Sequence, residues 1–146
     1  MPRNSTLALL LLTATMAPAT CIPIEEAPKR IGDTVCVTGK VLKAKQTESG
    51  TFFLDFCTNY RKCPFSVVVF SGNLRDVGDV RQLEGKVIEI HGRIQAWGKR
   101  SEIILKDARQ LKGESGNLPP LPKGFDVERK GSFSPGDPPR KKKSRQ

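Results

Sequence analysis

Val35-Cys36-Val37-Thr38-Gly39-Lys40-Val41 is echoed later in the chain by Ile88-Glu89-Ile90-His91-Gly92-Arg93-Ile94. In each stretch a β-branched residue fills every second position, a glycine takes the same phase, and an apolar residue follows two places on. Period two is the spacing of a strand with one face buried. Glycine weakens a strand interior and belongs where the strand bends sharply or another backbone comes close. Two such ribbons in so short a chain predict a sheet curled onto itself.

The neighbouring segments extend the pattern. The first strand is expected to run from residue 33 to about 45, and Gln46-Thr47-Glu48-Ser49-Gly50 supplies a turn. Residues 51–56 are short and aromatic-rich, a second strand. Residues 57–64 form a polar turn, and Phe65-Ser66-Val67-Val68-Val69-Phe70 is a third strand. Residues 71–84 lose the alternation. Leu74, Val77, Val80 and Leu83 recur at three-residue spacing, Ser71 or Asn73 is placed to cap, and Gly78 limits the segment to two short helical turns. A fourth strand over 86–97, a tight turn Trp97-Gly98-Lys99-Arg100 and a fifth strand over 101–106 complete the series.

Both ends differ from this body. Arg3 precedes the apolar run Leu7-Ala8-Leu9-Leu10-Leu11-Leu12, and Ala17-Pro18-Ala19 fits a small-residue cleavage pattern. The run is shorter than the ~20 residues that span a bilayer. Residues 1–19 are therefore expected to be a signal peptide, residues 20–30 a lead-in segment, and the mature protein a periplasmic or secreted one with no transmembrane segment. A lipoprotein reading would acylate Cys21, with Thr20 and Pro18 as poor residues for that signal. Residues 113–146 hold six prolines and five glycines and end in a lysine-arginine run. Such a composition predicts a disordered basic tail.

Cleavage after Ala19 leaves Cys21, Cys36, Cys57 and Cys63, an even set with three possible pairings in an oxidising compartment. Cys57 and Cys63 bracket a short turn and are a disulfide candidate. No C-x-x-C is present and His91 is the only histidine, so no metal site and no cofactor are expected. The net charge is +10: residues 1–29 balance, residues 30–112 carry fifteen basic and nine acidic groups, and residues 113–146 carry eight and four. A basic body with a basic tail suits a polyanion.

Strand, strand, strand, short helix, strand, strand is the layout of the OB-fold. The stretches quoted above, with Phe53-Leu54-Asp55-Phe56 and Glu102-Ile103-Ile104-Leu105, make residues 31–112 resemble small bacterial OB-fold nucleic-acid-binding proteins related to the anticodon-binding domain of tRNA synthetases. A small residue is usual in that family where this chain has Cys57. The resemblance implies an all-β, five-stranded barrel with a helix between strands three and four. It places ligand on the outer face of strands two and three, between the loops joining strands one–two and four–five. Carried over to this sequence, the candidates are Lys40, Lys43 and Lys45 on strand one and Tyr60, Arg61 and Lys62 in the strand two–three turn. Arg93 on strand four and Trp97, Lys99 and Arg100 in the strand four–five loop complete the set. Trp97 and Tyr60 are the only Trp and Tyr, each beside positive charge. Phe52, Phe53, Phe56, Phe65 and Phe70 are expected in the core, with at most one exposed.

No nucleophile elbow, phosphate loop or zinc-protease motif is present, and Asp55 and Glu89 are single strand carboxylates. The expectation is a non-catalytic, monomeric module for single-stranded DNA or RNA. The alternative is an exported envelope protein that binds a protein or glycan partner.

Overall fold

A computed structural model describes residues 20–128. The expected leader, residues 1–19, and the last part of the expected tail, residues 129–146, lie outside the described residues.

Among the described residues nine strands form: β1 (Ile22–Pro23), β2 (Thr34–Lys40), β3 (Lys43–Gln46), β4 (Phe52–Asp55), β5 (Phe65–Val69), β6 (Val87–Arg93), β7 (Gln95–Trp97), β8 (Arg100–Ile104) and β9 (Leu111–Lys112). They do not close into the single five-stranded barrel that the sequence predicts. They make two mixed sheets, one ordered β1-β2-β6-β9 and the other β3-β4-β5-β8-β7.

The backbone shows why. The first long ribbon changes sheets between Val41 and Leu42: the Val41 amide still donates to Lys86, while the Leu42 amide donates to Asp55 in the other sheet. The second changes sheets at Ile94, whose amide donates to Asp33 before Gln95 pairs with Glu102. Each expected long strand is thus two strands, one in each sheet, and short segments before the first ribbon and after β8 add β1 and β9. Both switches fall two residues after a ribbon glycine. A Cβ on Gly39 would lie 2.8 Å from Ile24 Cγ2 and 2.9 Å from Phe56 Cδ1, and one on Gly92 would lie 2.6 Å from Ile103 Cγ2. The glycines serve close approach on the inward face.

The inward faces of both sheets share one apolar cluster that includes Val37, Val41, Leu54, Phe65, Val67, Ile88, Ile90, Ile94, Ile103 and Leu105. Between β5 and β6 the chain makes a 3₁₀ turn (Ser71–Asn73), the one-turn helix α1 (Leu74–Val77) and a second 3₁₀ turn (Val80–Leu83). Leu74, Val77, Val80 and Leu83 are all buried, as their three-residue spacing implies. Neither Ser71 nor Asn73 supplies a side-chain cap here. The Asp79 side chain does, accepting from the Arg81 amide and pairing with the Arg81 guanidinium at 2.8 Å.

The lead-in segment and the first part of the tail, which was expected to be disordered, are packed. In the lead-in, a 3₁₀ helix (Ile24–Arg30) buries Ile24 and Ala27. In the tail, Leu118, Leu121, Phe125 and Val127 lie against the core. The Asp79 amide donates to the Pro119 carbonyl at 2.8 Å, Phe125 stacks on Phe52 with ring centroids 6.5 Å apart, and the Arg81 guanidinium lies 4.8 Å over the Phe125 ring. Apolar residues spread among the prolines supply this packing, which overall composition conceals.

Cys57 pairs with Cys63, and Cys21 pairs with Cys36. Acylation of Cys21 and this second disulfide exclude each other, because each uses the one sulfur. No helix among the described residues is long and apolar enough to cross a membrane.

Candidate nucleic-acid interface

The five-stranded sheet has an inward face on the core and an outward face set by the alternate phase. Register aligns two rows across that outward face. One runs Lys43, Asp55, Ser66, Glu102, Gln95, and Lys45, Phe53 and Val68 pair in the next. Trp97, opposite Arg100, ends β7 on the same side.

Trp97 is 51% exposed, and its ring meets the Phe53 ring edge-on at 6.4 Å. Phe53 is the phenylalanine whose strand phase turns it away from the core. Phe52, Phe56 and Phe65 are buried, whereas Phe70, 46% exposed, follows the end of β5 and lies outside the cluster. The phase of Asp55 was the available signal, since Phe53 shares it.

The turn between β4 and β5 is closed at its base by the Cys57–Cys63 disulfide. Within it a 3₁₀ turn (Tyr60–Lys62) is capped by Asn59, whose side chain accepts from the Arg61 amide at 3.1 Å. Tyr60 is 47% exposed. Lys45 Nζ lies 5.7 Å and the Arg61 guanidinium 5.8 Å from its ring centroid, and Arg61 Nε donates to the Tyr60 hydroxyl at 3.2 Å. That hydrogen bond, followed by the Arg61 charge, holds the phenol below its usual pKa. Arg100 Nη1 donates to the Tyr60 carbonyl at 2.6 Å, which ties this turn to β8.

Of the sequence candidates, Lys45, Tyr60, Arg61 and Arg100 are thus joined by direct contacts. Trp97 reaches them through Phe53, the Cα partner of Lys45. Lys43 stands on the same face, Lys62 in the same turn as Tyr60, and Lys99 beside Trp97 in the β7–β8 turn. Lys40 and Arg93 are on the four-stranded sheet instead, paired with Val87 and Thr34, because both ribbons change sheets after them.

Two carboxylates lie within this basic face, and sequence reasoning did not bring them together. Glu102 is only 6% exposed, and its Oε2 has no hydrogen-bond partner. Burial pushes its carboxyl above the ordinary glutamate value, and the Arg100 charge opposes that. Burial likewise pushes Asp55 up, against Lys45, Lys43 and Arg100 in that order. Nothing in the local sequence marks Glu102 as buried. Its surroundings come from β5 and β7, which flank it across the sheet.

No family model matches the chain, and no curated protein does. Among solved structures it is similar to an aspartyl-tRNA synthetase from Leishmania major Friedlin (11% identity, TM-score 0.43), covering 68% of this chain and 22% of that one. It is also similar to an aspartyl-tRNA synthetase from Entamoeba histolytica (15%, TM-score 0.42; 73% and 27% covered). A third is OBody AM1L10 bound to hen egg-white lysozyme (18%, TM-score 0.41; 62% and 91% covered). The chain spans about a quarter of the length of the two synthetases. At these scores the functional reading rests on the chain's own residues.

Proposed function

We propose that the chain is a non-catalytic binding module whose outward five-stranded face takes a single-stranded nucleic acid. The observation that carries this is one face on which two half-exposed aromatic residues, Trp97 and Tyr60, stand among Lys45, Arg61 and Arg100. Every base has a π-face, so stacking on Trp97 and Tyr60 binds with little sequence preference, and the interleaved cations track phosphates. Phe53 holds the Trp97 ring from the side, which reduces the entropy lost when a base lands on it.

The test is anisotropy titration of labelled single-stranded DNA and RNA at several salt concentrations. If about four phosphates are neutralised, log K falls with log salt at a slope near −2.8. Salt-insensitive binding, or none, rejects the reading. The two disulfides favour export. They support a second reading, in which the same basic face holds an acidic envelope glycan. An acidic polysaccharide that binds more tightly than either nucleic acid at matched salt decides for that one.

A further inference from the structure

Cys36 and His91 are Cα partners across β2 and β6. Both lie on the outward phase, opposite the phase of Val35, Val37, Ile88 and Ile90. Cys21, just before β1, is bonded to Cys36. One ligand atom from each of Cys21, Cys36 and His91 lies within 4.8 Å of the others. The chain's single histidine is thus placed against one of its two disulfides. The register of the four-stranded sheet creates this cluster, not any sequence motif.

The geometry points to a disulfide-gated site for a thiophilic d¹⁰ metal ion, with zinc(II) as the reference ion. While the Cys21–Cys36 bond stands, each sulfur is committed to the other and the site is closed. An external dithiol opens it by thiol–disulfide exchange. The Cys21–Cys36 bond breaks, the dithiol is oxidised to its own disulfide, and Cys21 and Cys36 take up two electrons and two protons. Metal binding then releases both thiol protons to water. Two thiolates and one neutral imidazole nitrogen become ligands, and the fourth tetrahedral position stays open to water.

Such a site needs Cys21 to stay in place once its covalent tether is cut, and the fold provides for this. Ile22 and Pro23 pair in parallel with Val37 and Thr38. Ile24 and Ala27 are buried immediately beyond. Gly39 lacks the Cβ that would crowd Ile24. On the other strand, the Gln110 side chain donates to the His91 carbonyl at 3.1 Å and to the Ile104 carbonyl at 3.1 Å, which fixes the backbone that carries the imidazole. The Cys57–Cys63 pair has no histidine available to it, since the only one is committed here.

The experiment titrates the full chain with cobalt(II), then displaces it with zinc(II), before and after anaerobic reduction by a phosphine. Expected is about one equivalent of tetrahedral, thiolate-coordinated cobalt in the reduced chain and none in the oxidised chain. Cys57→Ser/Cys63→Ser retains this binding, and Cys21→Ser/Cys36→Ser loses it. His91→Ala weakens it at least tenfold and alters the visible spectrum. Circular dichroism of the reduced chain retains the sheet signal. The proposal is overturned if the reduced wild-type chain unfolds or binds no cobalt. It is also overturned if binding persists in Cys21→Ser/Cys36→Ser, or if His91→Ala is indistinguishable from wild type.

Discussion

Trp97 and Glu102 define the residue scale, one an exposed apolar ring and the other a buried carboxyl, on the same sheet face. Replacing Trp97 with alanine removes a stacking surface and an edge contact with Phe53 but nothing from the shared core. The expected result is about 1–3 kcal/mol lost in single-strand affinity, or roughly five- to 150-fold, with the thermal midpoint little changed. Parallel anisotropy and thermal melts check both. Glu102 and Asp55 give the outward sheet face its own pH dependence. Their carboxyls titrate above ordinary values in the folded state, so between the unfolded and folded values the native state binds more protons. Stability from these two groups therefore grows as pH falls through the raised values and is lost as pH rises through them. The same protonation unmasks Lys43, Lys45 and Arg100, so affinity for an anionic polymer rises toward acid pH beyond what screening alone gives. Glu102→Gln is expected to flatten that profile and to tighten binding at neutral pH. A pH series at constant ionic strength measures it. The aromatic and cationic candidates were legible one by one. Glu102 was not, because its burial comes from strands far from it in sequence.

At the scale of elements, two devices shape the molecule: the glycine before each sheet switch and the disulfide beneath the Tyr60 turn. Gly39→Ala pushes a methyl group against Ile24 and Phe56. Overpacking of this kind costs about 1–3 kcal/mol, which denaturant unfolding would read as a lower midpoint at unchanged slope. Opening Cys57–Cys63 with paired serines releases a loop of about seven residues and costs roughly 2.4 kcal/mol on the chain-entropy estimate. That disulfide also holds Tyr60 and Arg61 on the sheet face, so single-strand affinity is expected to fall together with stability. The same double variant leaves the metal-site prediction untouched, because Cys21, Cys36 and His91 are elsewhere. Sequence spacing located both devices: glycines in matching phase, and cysteines around a polar turn. It did not reveal that each ribbon divides between two sheets. Alternation continues through Val41 and Ile94, and a change of hydrogen-bond partner leaves no mark on which residues are apolar.

For the whole molecule, residues 118–127 act as a strap over the core. Truncation after residue 117 removes Leu118, Leu121, Phe125 and Val127, and with Phe125 the ring stacked between Phe52 and Arg81. The expected outcome is a clear drop in thermal midpoint, measured against the full chain, where a solvated tail would give none. By itself the sequence determined the strand-rich core, the buried phase of the two glycine ribbons, the helical interruption at residues 71–84, one of the two disulfides and the basic character of the chain. These follow from local periodicity, loop closure and charge, which a linear reading contains. Only the tertiary structure decided the division into two sheets, the packing of the lead-in and the first part of the tail, the separation of Lys40 and Arg93 from the other cations, and the meeting of His91 with Cys21 and Cys36. Each depends on which backbone pairs with which across long separations. Such pairing is selected by global close packing and strand register, and no window of sequence carries it.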